Sequence, residues 1–252
     1  MPYIHFIGAG PGDPELLTLK AKRLIEHADL IIYAGSLVNP DVLKYAKPGA
    51  VVKNSAKMEL GEIVSLMAGY AGDGKAVARL HTGDPSLFGA IAEQMAELDR
   101  AGLEYDVVPG VSSAFAAAAA LKCELTLPEV NQTVIFTRLE GRTGVPKKES
   151  LKSLAAHRAT MVIFLSVNNI GKVVDELTCE YPSDTPAAVV YKASWPEELI
   201  IRGSLADIVA KVEQAGVTKT ALIFVGEPIG AGSMKAYSKL YDKGFSHGCR
   251  EN

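Results

Sequence analysis

Aromatic residues are scarce in this chain, at 7%, with Trp195 the only tryptophan, and there are just three cysteines. Cys123, Cys179 and Cys249 are too far apart to form a Cys-x-x-Cys site, so disulfides are not expected and a reduced compartment fits. The five histidines, His5, His27, His81, His157 and His247, contain no i, i+4 pair and have no cysteine at ligand spacing, so no protein-bound metal is expected. There is no long basic run and the net charge is -3, which excludes nucleic acid and anionic membrane as expected partners. No apolar run is long enough to span a bilayer, and no charged segment followed by an apolar one opens the chain. A soluble cytoplasmic protein is the expectation. A Walker loop and a Gly-x-Ser-x-Gly elbow are both missing. With covalent and metal chemistry set aside, what remains is an enzyme that works by positioning two small molecules.

What is present is a large apolar fraction, 48% over 252 residues, enough for one large domain or two small ones. The organising stretch is Gly8-Ala9-Gly10-Pro11-Gly12-Asp13-Pro14, between an apolar strand at 3–7 and a helical pattern carrying Leu17, Ala21, Leu24, Ile25 and Ala28 on one face. Asp13 suits a helix N-cap and Pro14 the first helical position. The spacing is not that of a dinucleotide loop: Pro11 has no N–H to offer a phosphate, and no acidic residue closes the next strand. Alone, the stretch reads equally as a ligand-binding turn or as a plain tight connection. A second copy shifts the balance. His81-Thr82-Gly83-Asp84-Pro85 also follows an apolar strand, at 76–80, and precedes Leu87, Ile91, Met95 and Leu98 at helical spacing. Two such turns at strand carboxyl ends point to the edge of an open α/β sheet where ligands lie.

Strands at 30–33, 51–53, 76–80 and 105–108 alternate with helices at 60–70 and 114–121, which implies a mainly parallel first sheet. Residues 122–132 break the pattern and read as a linker or crossover. A second series follows: strands at 133–137, 160–165, 187–191, 199–202 and 221–225, with helices at 151–156, 170–177 and 205–215. The seven residues between the strands at 187–191 and 199–202 leave no room for a crossover helix, so that pair is expected to be antiparallel and the second sheet mixed. The expected architecture is therefore two α/β lobes, 1–121 and 133–239, with a ligand cleft between them and a frayed tail at 240–252.

Each candidate has a plain structural alternative. Asp13 and Asp84 also read as helix caps, and Ser112 or Ser113 as the cap of the alanine-rich helix, though a helix N-terminus also receives a polar ligand end. Thr137-Arg138-Leu139-Glu140-Gly141-Arg142-Thr143 is either a solvated loop or a carboxylate clamp, a task that arginine forks suit.

Taken together the motifs resemble the tetrapyrrole methylase family. They are Gly8-Ala9-Gly10-Pro11-Gly12-Asp13-Pro14-Glu15-Leu16-Leu17-Thr18, Tyr33-Ala34-Gly35-Ser36-Leu37-Val38, Thr82-Gly83-Asp84-Pro85-Ser86-Leu87-Phe88-Gly89, Val108-Pro109-Gly110-Val111-Ser112-Ser113 and Ala221-Leu222-Ile223-Phe224-Val225-Gly226-Glu227, in family order up to about residue 229. Within the family the chain looks most like the branch that methylates a corrinoid precursor on the cobalamin route. The resemblance implies S-adenosylmethionine as methyl donor, S-adenosylhomocysteine as product, a tetrapyrrole substrate and a homodimer. Carried over residue by residue, it implies donor contacts at Pro11, Gly83, Asp84, Leu87, Ser112, Ser113, Leu165, Ser166, Ala193, Ala221 and Leu222. Asp84 is the candidate catalytic residue. Charge and position add Ser36, His81, Arg138 and Arg142 as candidates for the carboxylates of the substrate. The alternatives are a family member acting on another tetrapyrrole, such as uroporphyrinogen III, and a non-catalytic adenosyl-ligand sensor.

Overall fold

The computed structural model describes residues 3–35, 37–230, 238, 245 and 246. Ser36 and nearly all of the expected tail lie outside the described residues. The chain divides into two compact units, Met1–Ala116 with Lys192–Pro196, and Ala117–Tyr191 with Glu197–Asn252.

The first unit is built on five parallel strands, β1 (Ile4–Gly8), β2 (Leu30–Tyr33), β3 (Val51–Asn54), β4 (Val77–His81) and β5 (Tyr105–Val108), in the order β3-β2-β4-β1-β5. The inner strands are mostly apolar on both faces, as strands covered on both sides tend to be, with Arg79 and His81 of β4 as buried polar exceptions. Ile7, Ile31, Ala78 and Leu80 pack on α1 (Leu19–His27) through Ala21 and Ile25. Ile4, Phe6, Leu30, Ile32 and Val77 face the opposite way, onto α2 (Leu60–Gly72) and α3 (Ala92–Arg100) through Ile63, Met67 and Leu98. The sequence pattern placed these strands within a residue or so of their ends.

Two helix starts differ from the pattern. Asp13 does act as a cap, its carboxylate accepting from Glu15 N at 2.8 Å, but what it caps is a single 3-10 turn, Pro14–Leu16. The α-helix begins after a second cap, Thr18, whose hydroxyl accepts from Ala21 N at 3.1 Å. Leu87 likewise precedes its helix. Left-handed backbone at Phe88 (φ 56°) and Ala90 (φ 49°) breaks the helical phase, and α3 starts only at Ala92.

The second unit carries a mixed sheet, β6 (Val134–Arg138), β7 (Thr160–Phe164), β8 (Pro186–Tyr191), β9 (Leu199–Ser204) and β10 (Ala221–Val225), in the order β6-β7-β10-β8-β9. Only β6 and β7 are parallel, and β8 and β9 pair antiparallel from Pro186↔Ser204 to Tyr191↔Leu199, as the short gap between them required. Its core gathers Met161, Ile163, Val189 and Ile223 under α5 (Leu151–Ala155), α6 (Ile170–Leu177) and α7 (Ile208–Gln214). The stretch 122–132 is tied into this unit: Thr160 Oγ1 donates to Leu125 O at 2.9 Å and Asn131 Nδ2 to Arg158 O at 3.2 Å. The remaining helix, α4 (Ser113–Leu121), carries the division between the units within its length.

Glycine content has opposite consequences in different places. A Cβ on Gly110 would stand 2.2 Å from Gly83 O and 2.7 Å from Gly8 Cα, whereas one on Gly69, inside α2, meets nothing within 4 Å. Gly110→Ala is expected to cost about 3 kcal/mol by overpacking backbone. Gly69→Ala is expected to add about 0.5–1 kcal/mol through helix propensity. Urea denaturation of the two variants beside wild type checks both signs.

Candidate active site at the carboxyl edge of the first sheet

Strands β1 and β4 are neighbours, yet α1 leaves β1 on one face of the sheet and α3 leaves β4 on the other. This is a topological switch point, and the crevice beyond the strand ends at such a point is the place where open α/β sheets receive ligands. Three turns meet there.

The first turn, residues 8–13, is joined to the second through paired glycines. Gly83 N donates to Gly10 O at 2.8 Å and Gly10 N to Gly83 O at 3.3 Å, with φ of +74° at Gly10 and +61° at Gly83. Both angles are cheap only for glycine. The carbonyls of the turn are held from two sides: Trp195 Nε1 donates to Pro11 O at 2.9 Å, and the buried Asn39 donates through Nδ2 to Gly12 O at 2.8 Å. The Trp195 ring lies flush on Gly12, where a Cβ would come within 2.1 Å of Cδ1. Asp13 N donates to Ser194 Oγ at 3.0 Å. Neither Asn39 nor Trp195 was expected at the site from the sequence. The available signals were that Asn39 precedes a proline and that Trp195 has no other tryptophan beside it.

The second turn is organised by Asp84. One carboxylate oxygen accepts from Ser86 N and the other from Gly110 N, both at 2.9 Å, so the side chain clips the β4 loop to the β5 loop. Thr82 Oγ1 donates to Leu37 O at 2.9 Å, and Leu87 is half-buried in the same loop. In the third turn the buried Ser112 is the N-cap of α4, its hydroxyl accepting from Ala114 N at 3.3 Å, and Ser113 opens the helix. Pro11, Gly83, Asp84, Leu87, Ser112 and Ser113 thus lie in three turns at one strand edge. Ala193 is buried in the segment that carries Ser194 and Trp195.

The other candidates belong to the second unit. Leu165 follows β7 in a left-handed conformation (φ 53°) and is 65% exposed. The buried Ser166 hydroxyl donates to Phe164 O at 2.6 Å and accepts from Leu139 N at 2.9 Å. Ala221 and Leu222 are buried at the start of β10, opposite Tyr191 and Val190. Arg138 spends its fork on the loop that follows it, donating to Leu139 O, Thr143 O and Gly144 O at 3.4, 3.1 and 2.8 Å. Arg142 is exposed. Ser36 is outside the described residues.

His81 departs from expectation in its charge. Its side chain is only 4% exposed, and burial with the nearby Arg79 cation pulls its pKa down to about 3. At neutral pH the ring is neutral and offers a carboxylate no cationic partner. Its Nε2 is buried with no hydrogen-bond partner among the described residues.

The edge offers a polar ligand groups of both kinds. It combines the N-terminus of α4, which favours a carboxylate, with backbone carbonyls and the Asp84 carboxylate, which favour an ammonium and ribose hydroxyls. Among the described residues no cluster of three His, Cys, Asp or Glu could hold a metal ion. No helix among them is long and apolar enough to cross a membrane.

A family model described as Tetrapyrrole (Corrin/Porphyrin) Methylases matches residues 3–209. The chain belongs to the tetrapyrrole methylase family. It is a methyltransferase. Among its relatives, a Methanocaldococcus jannaschii protein named cobalt-precorrin-4 C(11)-methyltransferase is 58% identical over 250 residues, 99% of this chain and 96% of the relative. A Pseudomonas aeruginosa protein named precorrin-4 C(11)-methyltransferase is 49% identical over 244 residues, 97% of each. A solved cobalt precorrin-4 methyltransferase, described as a cobalamin biosynthetic enzyme, superposes with a TM-score of 0.88 at 47% identity, over 90% of this chain and 95% of that one. A uroporphyrin-III C-methyl transferase from Thermus thermophilus, solved with S-adenyl homocysteine, has a TM-score of 0.75 at 32% identity, over 90% and 92%.

In this methylase the depressed His81 pKa carries a stability consequence. Above pH 6.5 the ring is neutral whether the chain is folded or unfolded. Between 6.5 and about 3 the unfolded chain binds a proton that the folded one refuses, so stability is lost as the pH is lowered, by up to about 1.4 kcal/mol per unit. His81→Gln is expected to flatten that limb by about one proton relative to wild type, read from urea midpoints between pH 4.5 and 7.5.

Proposed function

We propose that this chain transfers a methyl group from S-adenosylmethionine to C11 of a precorrin-4-type tetrapyrrole, cobalt-bearing or metal-free, in cobalamin biosynthesis. The observation that carries the reading is the 58% identity over 99% of the chain to a relative named for that reaction. The three-turn edge at β1, β4 and β5 supports it, because it offers a polar nucleoside a backbone-lined seat at a switch point. The family resemblance adds a cytoplasmic homodimer to the same proposal.

A sulfonium donor supplies a methyl group that is already activated, so the residues around it have alignment and water exclusion as their main task. Gly83 and Gly10 bring two backbone turns together with no side chains in the way. Asp84 holds the second turn against the third and places a negative charge beside both. Trp195 covers Gly12 and fixes the Pro11 carbonyl. The Ser112 cap sets the direction of the α4 N-terminus. On the second unit, Leu165, Ser166, Ala221 and Leu222 are kept as proposed donor contacts. Arg142 is the better candidate of its pair for a substrate carboxylate, since the Arg138 fork already bonds three carbonyls.

Incubation with methyl-labelled S-adenosylmethionine and either metal-free or cobalt-loaded precorrin-4 tests the reaction, with product position read by mass and NMR analysis. Label at C11 is expected. Label only on uroporphyrinogen III, or binding without transfer, would contradict the proposal. Asp84→Asn replaces one accepting oxygen by a donor. It is therefore expected to weaken S-adenosylhomocysteine binding by about tenfold, by calorimetry. Arg142→Ala is expected to raise the tetrapyrrole KM by about tenfold while leaving donor affinity within about twofold.

A further inference from the structure

Strand β4 buries a cation where its neighbours are apolar. Arg79 is 5% exposed, and no carboxylate among the described residues pairs with it. Its pKa falls only to about 10, from burial, so it stays charged at neutral pH. Leaving a buried charge without a counter-charge is costly, and its neighbours are all neutral acceptors. Nε donates to Gln94 Oε1 at 3.0 Å, and Nη1 lies 3.4 Å from both Ile32 O and Leu80 O.

The Gln94 contact has a direction. A guanidinium can only donate, so it requires the oxygen of the amide and turns the NH2 group away. That NH2 group donates to Ala90 O at 2.9 Å. Ala90 closes the loop after Asp84, and this loop is held in a shape that an unrestrained chain avoids. Phe88 and Ala90 are left-handed, and a Cβ on the intervening Gly89 would stand 2.0 Å from Pro85 O. Conformations of this kind persist only where surrounding groups enforce them. Phe88 is 45% exposed at the crest of the loop. The His81 ring, on the same strand, lies close enough to the Gly89 backbone to interact with it.

We infer that Arg79 and Gln94 are positioning residues for the methyl-donor loop: the arginine orients the Gln94 amide, and the amide holds Ala90 so that residues 84–90 keep the shape the donor meets. The inference rests on the reading of that loop as part of the donor site. It assigns a role to a buried charge that neither packing nor methyl transfer itself explains.

Gln94→Glu separates this role from simple stability. The new carboxylate still accepts from Arg79, and now as an ion pair, but it has no donor for Ala90 O. S-adenosylhomocysteine is titrated into wild type and variant by calorimetry, with thermal unfolding and hydrogen exchange measured alongside. The expected result is a thermal midpoint at or above that of wild type and about tenfold weaker binding. The KM for S-adenosylmethionine should rise with kcat at saturation within about twofold, and exchange should quicken in residues 84–90 relative to wild type while α3 stays unchanged. Gln94→Met keeps the side-chain length and removes both bonds, so it is expected to weaken binding similarly even if Gln94→Glu folds poorly. Wild-type affinity in the folded variants would overturn the inference. Failure of the wild-type protein itself to bind S-adenosylhomocysteine would overturn the donor-site reading and this inference with it.

Discussion

Backbone touching backbone at the tips of β1, β4 and β5 is the constraint on which the first unit turns. Gly8, Gly83 and Gly110 approach so closely that a single methyl group at Gly8 or Gly110 would overlap main-chain atoms. Strands spaced by ordinary ladder bonds converge no further than about 4.7–4.9 Å. The closer contact here comes from the loops, where the Gly10–Gly83 bridge and the Asp84 clip to Gly110 pull three turns into one edge. Because the edge is made from main chain, its donors and acceptors are already in place before any ligand arrives. That is the arrangement a positional catalyst needs.

Most polar side chains near this edge are engaged with the protein rather than left waiting. Both Asp84 oxygens accept from backbone amides, Thr82 donates to Leu37 O, and Ser112 caps α4. In the second unit Arg138 and Ser166 are similarly occupied by carbonyls and an amide of their own surroundings. Such groups shape a site by fixing the backbone, and they act on a ligand through that backbone. The exception is His81, whose buried Nε2 has no hydrogen-bond partner among the described residues, while Arg79 on the same strand keeps a charge met only by neutral acceptors. Their cost falls beneath a loop that itself holds two left-handed non-glycine residues, Phe88 and Ala90.

Much of the fold was legible in the chain because its signals are local. Buried strands such as 30–33, 160–164 and 221–225 are short apolar runs bounded by turns, and their ends follow from that pattern. The antiparallel β8–β9 pair followed from the length of the gap between its strands. Helix starts were less legible where two caps compete, as at Asp13 and Thr18, because both residues are good caps and only the packing of Ala21 and Ile25 selects the second. The start of α3 was hidden for a different reason. Periodicity across Leu87, Ile91 and Met95 is the same whether or not the backbone turns left-handed between them.

The sequence by itself determined the family, the alternation of strands and helices, and the three glycine turns, because each of these is written in neighbouring residues and in their order along the chain. Tertiary structure alone decided the rest. It brought Trp195 onto Gly12 from 183 positions away, made Asp84 a clip rather than only a cap, and turned His81 from a candidate cation into a neutral buried ring. The physical reason is common to all three. Burial and partner geometry set what a side chain can donate, accept or ionise, and neither is a property of the residue until distant parts of the chain have been packed around it.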